Sequence, residues 1–304
     1  MKNNSEYIIV PIDFEPASLK ALKSAMLFAK RQKTTIVLLN VLQTPGFFNE
    51  IFSSGEEIVK LTNHIKDKLN NLAINTKKEN PDVEIITRVE SGKAYKKIID
   101  VANEIKPRLI IMGENHEGDM ASQKLGTSVY QVTLQSPVPV LTIKGDFKQI
   151  GKKIVVPLDL TKNTSKQVFS AIVYGLRYGA KVYLTSALIG GISIEQSRIN
   201  KKIENALLTL KENNVDCDYK IFERSDVQPY QRVLEYTKEI EADLILIMTH
   251  QEGFTYDNYI GAFAHHIINE SQVPVLSLTS SASDDSFSKF LTSFVDPARI
   301  FSQK

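Results

Sequence analysis

One cysteine, Cys217, in 304 residues rules out an intrachain disulfide framework and suits a reducing compartment. Long apolar runs are missing as well. No stretch approaches the length that a bilayer crossing needs, and the polar start Met1-Lys2-Asn3-Asn4-Ser5 is not that of a signal peptide. Charge of one sign is also lacking: a net +2 leaves no basic footprint for nucleic acid or for an anionic membrane. No Gly-x-Gly-x-x-Gly fingerprint occurs. The stretch from Gly145 to Lys152 imitates a P-loop, but its glycines are one residue too far apart and no Ser or Thr follows the lysine. There are no Cys pairs, and His265 and His266 are adjacent in a helical pattern, where they face different ways. The histidines His116, His250, His265 and His266 are therefore not read as a metal site. Neither a Ser-His-Asp order nor a nucleophile elbow is visible, so binding is expected rather than committed catalysis. With 42% hydrophobic and 24% charged residues, the composition is that of a soluble, cytoplasmic globular protein with no nucleic-acid or membrane partner.

What the chain does contain, it contains twice. Ile8-Ile9-Val10-Pro11-Ile12-Asp13 returns as Ile154-Val155-Val156-Pro157-Leu158-Asp159. Leu109-Ile110-Ile111-Met112 returns as Ile245-Leu246-Ile247-Met248, and Ser136-Pro137-Val138-Pro139-Val140-Leu141 as Ser271-Gln272-Val273-Pro274-Val275-Leu276. A period near half the chain is the size of a whole domain. The offset is 146 residues at Asp13 and Asp159 but 136 at Met112 and Met248, so the second copy is about ten residues shorter between its second and fourth strands. One further residue is missing just after Met248, where a ligand loop would sit. The copies are not expected to be equivalent.

Within the first copy, short β-type runs alternate with helical patterns. Strands are expected at 7–12, 35–41, 83–89, 109–112 and 138–143. Helices are expected from Leu19, Leu22, Met26 and Ala29 after Pro16; from Ile58, Leu61, Ile65, Leu69 and Leu72 on one face; from Tyr95, Ile98, Ile99, Ala102 and Ile105; and from Gly126-Thr127 onward. The second copy repeats this order, with strands at 153–158, 181–187, 217–222, 243–248 and 274–278. Its helices fall at 165–178, 196–212, 229–240 and 261–270. Such alternation predicts right-handed crossovers and a parallel sheet covered on both faces. Ligands on these sheets bind beyond the carboxyl ends of the strands, where Asp13, Val41 and Gly113 all lie.

The fourth strand continues as Met112-Gly113-Glu114-Asn115-His116-Glu117-Gly118, and Gly126-Thr127-Ser128 follows. With the Val-Pro-x-Asp first strand, the Ile-Met-Gly strand end and the Pro-Val-Leu final strand, the chain resembles the universal stress protein family in tandem form. The resemblance spans about residues 5–145 and 150–280. Nucleotide-binding members carry Gly-x2-Gly-x9-Gly-(Ser/Thr) between strand four and helix four. Gly113 matches the first glycine and Gly126-Thr127 the last pair, while His116 stands at the second glycine. The resemblance implies that Asp13 meets the adenosine end of a nucleotide and that the Val41 backbone faces the adenine edge. It also brings Pro11, Met112, Gly113, His116, Gly126, Thr127 and Ser128 to the site. Glycines there let the backbone approach phosphates, and a hydroxyl at a helix N-terminus adds a donor and a favourable dipole. Glu114, Glu117 and Asp119 set three carboxylates near this anion site, with Lys124 as counter-charge, so Mg²⁺ is expected to bridge them to ATP. In the second copy Thr249, Glu252 and Ala262 replace the first glycine, the second glycine and the hydroxyl, which leaves that copy a structural partner.

The resulting expectation is an α/β protein of two tandem flavodoxin/Rossmann-like domains, each with a five-stranded parallel sheet flanked by helices. Residues 1–145 form the domain with a partly retained nucleotide loop, and 150–280 the domain with the degenerate one. The final strands, Val138–Ile143 and Pro274–Leu278, would lie at sheet edges and pair the two domains as a pseudo-dimer. In residues 281–304, Phe287, Phe290, Leu291 and Phe294 form an apolar stripe on an amphipathic arm. The function expected is a stress-response regulatory module binding ATP or another adenine nucleotide, with a second copy or another protein as partner. The alternatives are a nucleotide-free interaction scaffold and a slow ATPase. Cys217, with no basic neighbour in sequence, is read as packed rather than reactive.

Overall fold

A computed structural model describes residues 7–43, 55–114, 127–144, 151–158, 164–187, 193–222, 226–249 and 261–279. The chain divides into two units, Met1–Phe147 and Lys148–Lys304. Residues 145–150 and the arm at 281–304 lie outside the described residues.

In the first unit the apolar runs become parallel strands β1 (Tyr7–Pro11), β2 (Thr35–Leu42), β3 (Ile85–Ser91), β4 (Leu109–Gly113) and β5 (Val140–Ile143), in the order β3-β2-β1-β4-β5. Residues 8–10 of β1, 109–112 of β4 and 140–143 of β5 are buried without alternation, because helices cover both faces of a crossover-connected sheet. The covering helices are α1 (Pro16–Gln32), α2 (Gly55–Glu79), α3 (Ala94–Ile105) and α4 (Thr127–Gln135). Pro16 sits in the first turn of α1, where its missing N–H is no loss, and Lys33 ends that helix in the left-handed conformation. Strand order runs outward from β1 to β3, then returns to β4 on the other side of β1. The crevice between β1 and β4 is the switch point of the sheet.

The second unit repeats the plan with β6 (Lys153–Pro157), β7 (Lys181–Ala187), β8 (Cys217–Phe222), β9 (Leu244–Thr249) and β10 (Val275–Thr279), ordered β10-β9-β6-β7-β8. Its helices are α5 (Ser165–Tyr178), α6 (Ser193–Glu212), α7 (Pro229–Glu239) and α8 (Ala262–Glu270). Gly179, at φ 60, closes α5, and a reciprocal Gln228–Gln231 capping box opens α7.

Strand β3, expected at 83–89, runs two residues later, at Ile85–Ser91. Two further details depart from the sequence expectation. The last strand of the first unit starts at Val140 rather than Val138. Ser136 Oγ donates to the Val138 carbonyl and accepts the Val138 N–H, a local turn that Ser271 repeats at Val273. Pro139 and Pro274 then contribute only their carbonyls, to Ile110 and Ile245. The second departure is α2. Its 25 residues run about 37 Å, whereas the seven-residue β3 that follows spans about 23 Å. The helix is therefore longer than β3 by more than two turns. Leu69 is fully buried against the sheet, but Leu61, expected on the same face, is 44% exposed and Val59 58%.

The two strands farthest from β5 and β10 within their own units are tied down by charge. Arg88 on β3 makes a two-pronged pair with Glu104 of α3, at 2.7 and 2.8 Å, and a third bond to Glu90. At the matching place Lys220 on β8 meets Glu239 of α7 at 2.9 Å and lies over the Tyr236 ring.

Candidate functional site

Parallel register carries the strand ends of the first unit into one row. Pro11 is level with Leu39 and Ile9 with Ile110, so two further residues on β1 and β2, and four on β1 and β4, bring Asp13 level with Val41 and with Glu114. Val41 is itself level with Glu90, and Gly113 with Ile143, which makes Lys144 the neighbour of Glu114. Val41, Asp13, Glu114 and Lys144 therefore follow one another across the switch point at about 4.8 Å per strand.

Asp13 is exposed, and its Oδ1 accepts the Glu15 N–H at 3.0 Å. Between them Phe14 takes φ 70, left-handed for a residue with a side chain, and Lys68 of α2 stands 4.2 Å from the centre of its ring. Pro11 and Val41 are half-buried and Met112 is buried. Ser128 is half-buried in the first turn of α4, which begins at Thr127. His116 and Gly126 lie outside the described residues, as do Glu117, Asp119 and Lys124.

Gly113 has a packing role. A Cβ there would come within 2.0 Å of the Ala17 carbonyl oxygen, so β4 ends directly against the backbone of α1. Glu114 is not one of three carboxylates facing an anion. Its N–H donates to the Ile143 carbonyl, and its side chain, 3% exposed, lies with Oε2 3.4 Å from Lys144 Nζ. That contact is a charge pair without hydrogen-bond geometry, and Oε2 has no hydrogen-bond partner. Burial raises the Glu114 carboxyl to about 7 against the pull of Lys144. Sequence spacing did not reveal this pair, although each partner is the first residue after an apolar strand.

The second unit lacks the same construction. Register corrects the sequence alignment by one residue: Ile9 is level with Ile110 and its counterpart Val155 with Ile245, so Met248 stands at the position of Gly113 and Thr249 at that of Glu114. Thr249 is buried, with its hydroxyl donating to the Leu278 carbonyl at 3.3 Å. Asp159 lies outside the described residues. His266 stacks on Tyr230, with ring centres 4.1 Å apart, and its Nδ1 is 2.7 Å from Glu270, while His265 meets His266 edge to face. Among the described residues no group of three or more His, Cys, Asp or Glu is placed to hold a metal ion, and no helix is long and apolar enough to cross a membrane. Cys217 is half-buried, with its thiol pushed up mainly by burial.

The model of the universal stress protein family matches residues 5–144 and again 151–278. A universal stress protein from Archaeoglobus fulgidus superposes with a TM-score of 0.69 at 18% identity, over 90% of this chain and 98% of that one. A functionally unknown protein from Pseudomonas aeruginosa gives 0.65 at 19% identity, over 95% and 96%. At these identities the likeness concerns the fold. No curated protein matches the sequence.

Proposed function

The chain belongs to the universal stress protein family, and on that premise we propose that its first unit binds an adenine nucleotide, ATP or AMP, as a regulatory module. The observation that carries this reading is the exposed Asp13 carboxylate at the switch point, two residues beyond the end of β1, which pairs with β2 on one side and β4 on the other. Asp13 commits Oδ1 to the Glu15 N–H, which leaves Oδ2 for a ribose hydroxyl. The half-buried end of β2 at Val41 offers backbone to the base edge. The start of α4 at Thr127 and Ser128 supplies N–H groups and a positive dipole end for phosphate. Mg²⁺ would be held by the phosphates with carboxylates of the 114–126 segment; Glu114 is committed to Lys144, which leaves Glu117 and Asp119 for that task.

A nucleotide-free scaffold is favoured by one fact, that packing against Ala17 explains Gly113 without any phosphate. The two readings separate on the protein as purified. Denaturation and mass spectrometry of released small molecules should give about one adenine nucleotide per chain, or calorimetry should show uptake of Mg-ATP that Asp13→Ala weakens about tenfold or more. A protein that is empty and also takes up no Mg-ATP is the scaffold.

A further inference from the structure

We propose that Asn40 is a positioning residue of the nucleotide site, its buried carboxamide holding the Ile12 carbonyl so that the turn beyond it presents Asp13 to the adenosine end of the ligand. The proposal rests on the nucleotide reading above. Asn40 is the third-last residue of β2 and only 6% exposed. Its Nδ2 donates to the Ile12 carbonyl at 2.7 Å, while the Ile12 N–H donates to the Leu39 carbonyl at 2.8 Å. Both polar groups of the last residue before Asp13 are thus tied to the neighbouring strand.

Beyond Ile12 the chain enters an unfavourable conformation. A left-handed Phe14 crowds its Cβ against the backbone, and such residues persist only where their surroundings hold them. Three contacts do so here: the Glu15 N–H on Asp13, Lys68 over the Phe14 ring, and the Asn40 clamp at the root of the turn.

The other half of the carboxamide shows that stability alone does not explain Asn40. Its Oδ1 is buried and has no hydrogen-bond partner among the described residues. Reversing the amide would press that oxygen against the Ile12 carbonyl, acceptor to acceptor, so the orientation is fixed. A buried acceptor left unpaired works against folding, and an apolar residue of similar volume would remove that penalty. What it could not do is hold Ile12. The second copy makes the contrast. Leu158 repeats the backbone tie, to the Thr185 carbonyl at 2.7 Å, but the position of Asn40 is occupied by Ser186. The side-chain bond there comes instead from Gln167 of α5 to Pro157, two residues before Asp159. Among the described residues, a carboxamide clamp on the residue preceding the strand-end Asp belongs to the first copy.

The test uses the full chain with Asn40→Leu and Asn40→His, read by Mg-ATP calorimetry, urea unfolding and hydrogen exchange of the Glu15 amide without nucleotide. Asn40→Leu should keep or raise the urea midpoint, speed exchange at Glu15 and weaken Mg-ATP roughly five- to tenfold. Asn40→His, whose ring N–H can donate to Ile12, should recover part of the affinity. If Asn40→Leu does not fold, Asn40→Ser, the residue of the second copy, makes the same comparison. Mg-ATP affinity unchanged from wild type overturns the positioning role and leaves the nucleotide reading standing. Affinity that falls only together with stability, with no recovery by histidine, also overturns it. Wild-type protein that is empty as purified and takes up no Mg-ATP overturns the nucleotide reading instead. Exchange at Glu15 then decides the clamp alone: faster exchange in Asn40→Leu upholds it, and unchanged exchange overturns it.

Discussion

A methyl group on Gly113 would meet the Ala17 carbonyl oxygen and carbon at 2.0 and 2.2 Å, both backbone atoms that cannot swing away. Gly113→Ala is therefore expected to lose about 1–3 kcal/mol, seen as a lower urea midpoint at an unchanged slope. Glu114 gives the pH dependence. Its folded value of about 7 lies above the ordinary 4.5, so the folded protein keeps a proton that the unfolded chain gives up. The stability due to this group is complete below about pH 4.5 and is lost as pH rises through about 7, a change of roughly 3 kcal/mol. Glu114→Gln, which cannot ionise, should lack that decline when urea unfolding is compared at pH 5 and pH 8. Parallel behaviour of the two proteins would show that the carboxyl ionises normally. At this scale the places of Asp13, Val41 and Gly113 at or just beyond strand ends were legible, because each closes an apolar run. Asn40 with Ile12 and Glu114 with Lys144 were not. Each pair is about 30 residues apart, and only strand register brings its members together.

Among the elements, α2 shows where periodicity stops being informative. Leu61, Ile65, Leu69 and Leu72 fit one helical face, yet among the described residues Leu69 is fully buried whereas Leu61 is 44% exposed. Leu69→Ala should therefore cost about 2–5 kcal/mol, whereas Leu61→Ser should stay within about 0.5 kcal/mol. Equal losses in thermal or urea unfolding would mean that the turns around Leu61 are covered in solution. Strands were legible to within two residues because most of them are continuous apolar runs, although β3 and β8 are only partly buried. The shifts that did occur, at Val140 above all, come from serine turns and prolines that withhold N–H groups from the ladder.

Taken whole, the molecule is one fold written twice with unequal ends. The repeat in sequence was enough for the α/β class and for five strands in each unit, whereas the strand order of each unit comes from the structure. The candidate site was legible only in part, because residues 115–126, proposed to lie beside the phosphates, carry no periodic pattern in the sequence. If the first copy alone is live, Asp13→Ala should remove the single nucleotide of the purified chain, and Asp159→Ala should leave its stoichiometry at one. Mass spectrometry of released nucleotide measures both.

Glu114 also makes the heat of unfolding depend on the solvent. Near pH 6 the folded protein carries a proton on this carboxyl, and melting hands it to the buffer. In an imidazole buffer that handover evolves heat, while in phosphate it is almost thermally silent. The apparent unfolding enthalpy of this one protein at one pH should then be smaller in imidazole, and the gap should close in Glu114→Gln.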